Sequence, residues 1–130
     1  MLEDKKMDVE KLIKTIIDSA YNVRLQLGPG FLESVYKNAL VLELAKQGVA
    51  CESEYPVNVF YDDTVVGEFR IDLIVEKTVI VELKAVNNLV SAHEVQLVNY
   101  LTATQVDNGL LINFGAPKLE IKRKYRLYRK

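Results

Sequence analysis

The chain has 130 residues, of which 49 % are hydrophobic and 27 % charged, and its net charge is −1. This is the composition of a globular protein, and the length predicts one domain over residues 1–130. A single cysteine, Cys51, and a single histidine, His93, exclude an intrachain disulfide and a Cys/His zinc site, so carboxylates are the main source of chemistry.

Two helices are predicted at the start of the chain. Apolar residues recur at three- and four-residue spacing from Val9 to Leu27, with Asp8 as the N-cap. Gly28-Pro29-Gly30 ends this helix. A second helix is predicted from about Leu32 to Gln47, and its wide apolar set predicts burial over much of its surface.

Alternating apolar residues then predict three consecutive strands. The first covers Tyr55 to Tyr61 and carries Pro56, which favours the edge of a sheet. The second runs from Val65 to Val75 and the third from Val79 to Ala85. Because short turns join them, we expect an antiparallel meander.

Helical spacing returns in the last third of the chain. It predicts a helix from about Ser91 to Thr104, followed by a short buried strand from Leu110 to Phe114 and a last strand from about Leu119 to Tyr128. The order α-α-β-β-β-α-β-β predicts an α/β fold with a mixed sheet flanked by helices.

The final segment is strongly basic. Between Lys118 and Lys130 seven basic residues accompany one acid, Glu120, so this segment carries +6 and the rest of the chain −7. A basic end on an acidic body suggests an anionic partner. Lysines and arginines that protect an edge strand from pairing explain the same pattern, and both explanations stay open.

The register between the second and third strands follows from side-chain alternation. Matching apolar residues on one face pairs Val75 with Val79, Leu73 with Val81, Ile71 with Leu83 and Phe69 with Ala85. The same register places Asp72 opposite Glu82 and Arg70 opposite Lys84. The three-residue loop, Glu76-Lys77-Thr78, lacks the Gly or Asn that such loops usually contain.

Two adjacent carboxylates repel each other and need a compensating positive charge. A divalent cation between Asp72 and Glu82 supplies it, and hard oxygen donors select Mg²⁺ or Mn²⁺. Lys84, on the same face as Glu82, can stabilise the charge that develops when an activated water attacks a phosphodiester. An ordinary ion-pair cluster with Arg70 and Lys84 would also satisfy the carboxylates.

These residues together resemble the PD-(D/E)XK nucleases. Asp72, followed after a short hairpin by Glu82-Leu83-Lys84, resembles the superfamily signature, although Ile71 stands where the name implies a proline. The segment Gly30-Phe31-Leu32-Glu33-Ser34-Val35-Tyr36 matches the motif of the GxxExxY branch. Further similarity, in His93–Gln96, Tyr100-Leu101 and Leu111–Gly115, extends the resemblance from about Val9 to Lys124.

The resemblance implies a restriction-endonuclease-like fold and a set of catalytic roles. Glu33, Asp72 and Glu82 would bind the metal, and Lys84 would be the catalytic lysine. Gln96 would be an orienting group of the catalytic site. From the residues alone, Glu33 also fits the preference for an acid at the start of a helix, and Gln96 also fits a buried amide with ordinary partners.

Five further residues are expected to contact nucleic acid. Tyr36 and Tyr100 match motif positions of the branch, and Arg123, Lys124 and Arg126 belong to the basic end. From the residues alone, Tyr100 also fits a buried polar group with an ordinary hydrogen-bond partner.

We therefore expect a nuclease that depends on Mg²⁺ or Mn²⁺ and hydrolyses phosphodiester bonds, with DNA as its substrate and metal-activated water as the nucleophile. A homodimer is expected, because a small chain with one site needs two copies to cut both strands. The alternative is a catalytically silent module on the same fold that binds nucleic acid or another protein.

The location of the protein is predicted from two absences in the sequence. No apolar run reaches the length of about eighteen residues that a membrane span needs, and the charged N-terminus lacks the apolar segment of a signal peptide. We therefore expect a cytoplasmic protein without membrane contact.

Overall fold

The structure, a computed structural model, describes residues 8–127 and confirms the predicted order of elements. The elements are α1 (Val9–Leu27), α2 (Glu33–Lys46), β1 (Cys51–Tyr61), β2 (Thr64–Val75), β3 (Val79–Lys84), α3 (Ser91–Thr104), β4 (Asn108–Asn113) and β5 (Glu120–Tyr125). Asp8 caps α1 as predicted, since its carboxylate accepts a hydrogen bond from the backbone N–H of Lys11 (3.2 Å). The predicted end of the last strand at Tyr128 lies outside the described residues.

The strands form one mixed sheet in the order β1-β2-β3-β4-β5. Neighbouring strands are antiparallel except β3 and β4, which are parallel and are connected by the crossover helix α3. β1 lies at an edge, as Pro56 predicts. The predicted restriction-endonuclease-like arrangement is therefore confirmed.

Helices cover both faces of the sheet. α1 and α2 pack on one face through residues that include Ile16 and Leu40, and α3 packs on the other through Leu97 and Leu101. α2 is less buried than its apolar composition predicts, because Leu42 is 68 % exposed. None of the helices within residues 8–127 has the length and hydropathy of a membrane span.

β2 changes its apolar face in the middle of the strand. Leu73 and Val75 pack with α1 and α2, whereas Phe69 and Ile71 pack with α3. The prediction that all four share one face is therefore wrong. The change coincides with an irregularity at Glu54 of β1, where φ is +53° and the pairing between β1 and β2 skips one position.

The pairing of β2 with β3 is confirmed near the turn and differs beyond it. The ladder pairs Val75 with Val79, Ile74 with Ile80 and Leu73 with Val81, and ends there. The predicted pairs Ile71–Leu83, Phe69–Ala85 and Arg70–Lys84 are absent from the described sheet, because β2 leaves β3 and continues beside β1. The two strands therefore form a fork that opens at Asp72 and Glu82.

Candidate active site

The fork between β2 and β3 carries the two acids of the signature. The backbone N–H of Asp72 donates to Glu82 Oε2 (2.8 Å), and the backbone N–H of Leu83 donates to Asp72 Oδ2 (2.9 Å). These bonds satisfy backbone groups that the separating strands no longer pair. They also fix one oxygen of each carboxylate, while Asp72 Oδ1 and Glu82 Oε1 accept no hydrogen bond within residues 8–127.

Burial makes Glu82 the most perturbed acid of the site. Its side chain lies at the end of a buried strand, and the residue is only 6 % exposed. Loss of hydration, reinforced by the negative charge of Asp72, raises the pKa of Glu82 to about 8. The N–H of Asp72 and the ammonium of Lys84 offset only part of this effect.

Glu33 and Lys84 belong to the same electrostatic cluster. Glu33 is the first residue of α2, and burial together with the charge of Asp72 raises its pKa. Burial also raises the pKa of Asp72, against the hydrogen bond from Leu83. The ammonium of Lys84 lowers the pKa of all three acids, so the four residues of the motif act on one another electrostatically.

Two further charged residues, Lys37 and Glu54, complete the surroundings of the carboxylates. With Glu33 and Asp72 they line a cavity of about 200 Å³. Lys37 and Glu54 form an ion pair, and the backbone carbonyl of Glu54 accepts a hydrogen bond from Arg70 Nη1 (3.2 Å). Sequence reasoning missed both residues.

A sequence signal exists for one of these two residues. Lys37 lies four positions after Glu33, so the two side chains share a face of α2. Nothing in the sequence marks Glu54, because a glutamate has no preference for the left-handed backbone that it adopts here.

The acids fit a hard divalent cation in their chemistry and charge. Carboxylate oxygens are the ligands that such ions prefer, and three acids whose pKa values are raised mainly by burial form a site in which negative charge is poorly hydrated. Within residues 8–127, no group of three or more His, Cys, Asp or Glu side chains is arranged to hold a metal ion. A site of three carboxylates would therefore form only with side-chain adjustment.

Gln96 and Tyr100 lie on α3, in the wall of a groove that residues of β1 and β2 also line. Gln96 is exposed and makes no hydrogen bond to the carboxylates among the described residues. Tyr100 stacks on Phe69 with a ring-centroid distance of 4.1 Å. Burial and the charges of Glu82 and Asp72 raise the pKa of Tyr100, which shows that its hydroxyl lies within electrostatic range of the acids.

The expectation that Tyr36 contacts nucleic acid is corrected by its burial. The side chain is fully buried and stacks on Phe114 at 4.7 Å. Its hydroxyl donates to the carbonyl of Gly28 (2.6 Å) and accepts from the N–H of Phe31 (3.2 Å). Tyr36 therefore holds the loop between α1 and α2.

Three basic residues near the end of the chain form ion pairs within the molecule. The pairs are Arg123 with Glu10 (2.8 Å), Lys124 with Glu94 (3.0 Å) and Arg126 with Asp107 (2.9 Å). Arg123 also donates to Asn108 Oδ1 (2.8 Å). These contacts connect the edge strand β5 to α1, α3 and the start of β4.

Comparison with known proteins identifies the family. A model of the PD-(D/E)XK nuclease superfamily matches residues 10–124. The crystal structure of SSO0001 shares the fold, with a TM-score of 0.57 and 16 % sequence identity over 74 % of this chain and 50 % of that chain, so this chain spans half the length of that protein. Among curated proteins, none shows significant similarity in sequence. The match over most of its length shows that the chain belongs to the PD-(D/E)XK nuclease superfamily.

Proposed function

We propose that the chain is a metal-dependent nuclease of the GxxExxY branch that hydrolyses phosphodiester bonds in DNA. The observation that carries this proposal is the fork, where backbone N–H groups hold Asp72 and Glu82 beside each other. Glu33 and Lys84 complete the electrostatic cluster, and members of this superfamily generally use divalent metals.

The acids and the lysine of the cluster have different roles in this proposal. Glu33, Asp72 and Glu82 would hold Mg²⁺ or Mn²⁺, and the bound ion would supply a Lewis acid and lower the pKa of the attacking water. Lys84 places a positive charge near the same acids, where it would stabilise charge developing on the phosphate oxygens. The hydrogen bonds at the fork limit the reorientation of the two carboxylates.

The test is cleavage of a panel of DNA and RNA substrates in the presence of Mg²⁺ or Mn²⁺. We expect metal-dependent cleavage of DNA by the wild-type chain and a loss of about a hundredfold or more in the Asp72→Asn and Lys84→Ala variants. Glu68→Gln, which removes an exposed charge from β2, serves as the matched control and should keep full activity. Equal cleavage by all four proteins would indicate a contaminating nuclease and contradict the proposal.

A second candidate function is a silent binding module on the same fold. It is favoured by the absence, within residues 8–127, of three side chains already arranged for a metal. Such a module would bind nucleic acid equally well with Mg²⁺ or EDTA, and Asp72→Asn would leave that binding unchanged. The nuclease should instead bind more tightly with Mg²⁺, because the ion removes repulsion between the acids and the phosphate.

We also propose that residues 1–130 act as one cytoplasmic domain that works as a homodimer. Two copies would bring one site to each strand of a duplex. Sedimentation equilibrium should give twice the mass of the chain under the conditions of cleavage, whereas a monomer that cuts both strands would contradict the dimer.

A further inference from the structure

A second and larger cavity lies between the β1–β2 hairpin and α3. Its volume is about 1080 Å³, just above the roughly 300–1000 Å³ of typical ligand pockets. Among small apolar and hydroxyl residues, its lining includes three aromatic rings and three amide side chains, namely Phe60, Phe69, Tyr100, Asn58, Gln96 and Asn99. Here it is called the amide–aromatic groove.

The chemistry of the amide–aromatic groove favours a neutral, planar ligand. None of its described lining residues is Lys, Arg, Asp or Glu, so a phosphate would find no positive partner there. Aromatic rings stack on planar heterocycles, and amide groups both donate and accept hydrogen bonds. A nucleobase carries a flat π-face and a polar edge, and therefore satisfies both parts of this lining.

The groove shares strand β2 with the fork. Tyr100 lines it, and the charges of Glu82 and Asp72 raise the pKa of this tyrosine. Phe69 belongs to β2, three residues before Asp72, and stacks on Tyr100. A strand whose phosphate lies at the fork can therefore place a neighbouring base in the groove.

One aromatic ring of the groove is still available for stacking. Phe69 and Tyr100 are partly buried and stack on each other, whereas Phe60 is 61 % exposed. The amides of Asn58, Gln96 and Asn99 are on exposed residues, so their polar groups can exchange water for a base edge.

We propose that the amide–aromatic groove binds an unpaired nucleobase of the strand that is cleaved. This inference rests on the proposed nuclease function and deepens it, because a base in a regular duplex is already stacked and paired and is not free to enter. The substrate would then be a nucleic acid with unpaired nucleotides beside the scissile phosphate, such as a single strand or the unpaired arm of a branched molecule.

The test measures binding of the full chain in EDTA, where cleavage does not interfere. Fluorescence anisotropy compares a labelled single-stranded oligonucleotide, the same strand with abasic residues, and a duplex of equal length. We expect the single strand to bind most tightly. Phe60→Ala should weaken its binding by about five- to a hundredfold, with no effect on the abasic strand, because only stacking on a base is lost.

Two further variants make the result specific. Asn99 lies on the other wall of the groove, and Asn99→Ala should likewise lower the affinity for the single strand. Tyr61→Ala is the matched control, because this neighbouring aromatic residue is 70 % exposed but lies outside the groove lining, and it should bind as the wild type does.

The outcomes separate this inference from the proposed function. The nucleobase site is refuted if the normal and abasic strands bind with equal affinity and if Phe60→Ala and Asn99→Ala leave both affinities unchanged. The nuclease proposal still stands in that case, provided that the wild type cleaves DNA. If base-dependent binding is lost in these variants but the wild type cleaves nothing, the groove is supported and the nuclease fails. If Phe60→Ala instead abolishes a dimer without altering base-dependent binding, a second copy of the chain covers the groove and the proposal is overturned.

Discussion

At the scale of single residues, the two acids of the fork have a structural role in addition to their proposed catalytic role. Glu82 accepts the N–H of Asp72, and Asp72 accepts the N–H of Leu83, so each carboxylate replaces a bond of the interrupted ladder. This arrangement keeps Glu82 buried in a position where its charge is poorly hydrated. The residues of the motif therefore influence stability as well as reactivity.

Glu82 should make the stability of the metal-free protein depend on pH. Its pKa rises from 4.5 to about 8 on folding, so between these values the folded state keeps a proton that the unfolded chain has lost. The contribution of Glu82 to the free energy of unfolding should then be highest below about pH 4.5 and fall toward pH 8, by at most ~1.4 kcal/mol per pH unit. Urea unfolding in EDTA between pH 5 and pH 8 would measure this slope.

Glu82→Gln tests the origin of that slope. Glutamine can still accept the N–H of Asp72 but does not titrate, so the fall in stability should become much smaller. A weaker slope should remain from Glu33 and Asp72, whose pKa values are also raised. The control variant Glu68→Gln should behave as the wild type, and an unchanged slope in Glu82→Gln would show that another group is responsible.

The structural role of Tyr36 can be tested by removing a single atom, the oxygen of its hydroxyl group. In Tyr36→Phe the ring still packs on Phe114, but the hydroxyl bonds to Gly28 and Phe31 are lost. We expect the free energy of unfolding to fall by about 1–2 kcal/mol, with no change in affinity for nucleic acid. Weaker nucleic-acid binding at unchanged stability would contradict this role.

At the scale of elements, β1 carries a residue with a left-handed backbone in the middle of the strand. Glu54 adopts φ +53°, opposite the point where β2 changes face. Glu54→Asn, which tolerates this conformation, should therefore be more stable than Glu54→Val by about 1–3 kcal/mol, although both variants lose the ion pair with Lys37. Thermal unfolding of the two variants would measure the difference, and equal stability would show that the conformation is not required.

The turn between β2 and β3 forms without the residues that usually build it. Glu76 and Lys77 both have positive φ (52° and 54°), and the Glu76 carboxylate accepts the N–H of Ala50 (2.7 Å). Lys77→Gly should raise the free energy of unfolding by about 1 kcal/mol, because glycine adopts this conformation without steric cost. Lys77→Ala is the control and should not raise the free energy of unfolding. An equal rise in both variants would show that the loss of the positive charge, and not the backbone conformation, is the cause.

At the scale of the whole molecule, the positive charge of the last strand is largely used internally. Arg123, Lys124 and Arg126 are paired with acids, and the net charge is −1. These three cations are therefore not free to bind phosphates while the pairs stay closed. A plot of the logarithm of the affinity for DNA against the logarithm of the salt concentration should have a slope shallower than about −3. Each phosphate contact adds roughly 0.7–0.9 to the magnitude of this slope.

Lys124→Ala distinguishes internal ion pairing from DNA contact. The slope should be unchanged in this variant, because its partner is Glu94. A steep slope in the wild type that becomes shallower in Lys124→Ala would show that the ion pairs of β5 open to bind phosphates.

The sequence by itself determined the order of elements, the α/β class and the residues of the motif. Periodicities such as that of Val9–Leu27 are local, and they reflect the burial of one side of each element. Alternation also predicted the pairs from Val75–Val79 to Leu73–Val81, because those strands share a buried face near their turn.

Only the tertiary structure decided where that pairing ends and what surrounds the acids. Opposite the fork lies Glu54, a residue on another strand in a conformation that its side chain does not favour, and alternation does not reveal such a change. The burial of Tyr36 and the groove beside Tyr100 likewise arise where distant segments meet. The physical reason is that backbone irregularities and contacts between layers are set by packing of the whole sheet, whereas local patterns report only which side of each element is apolar.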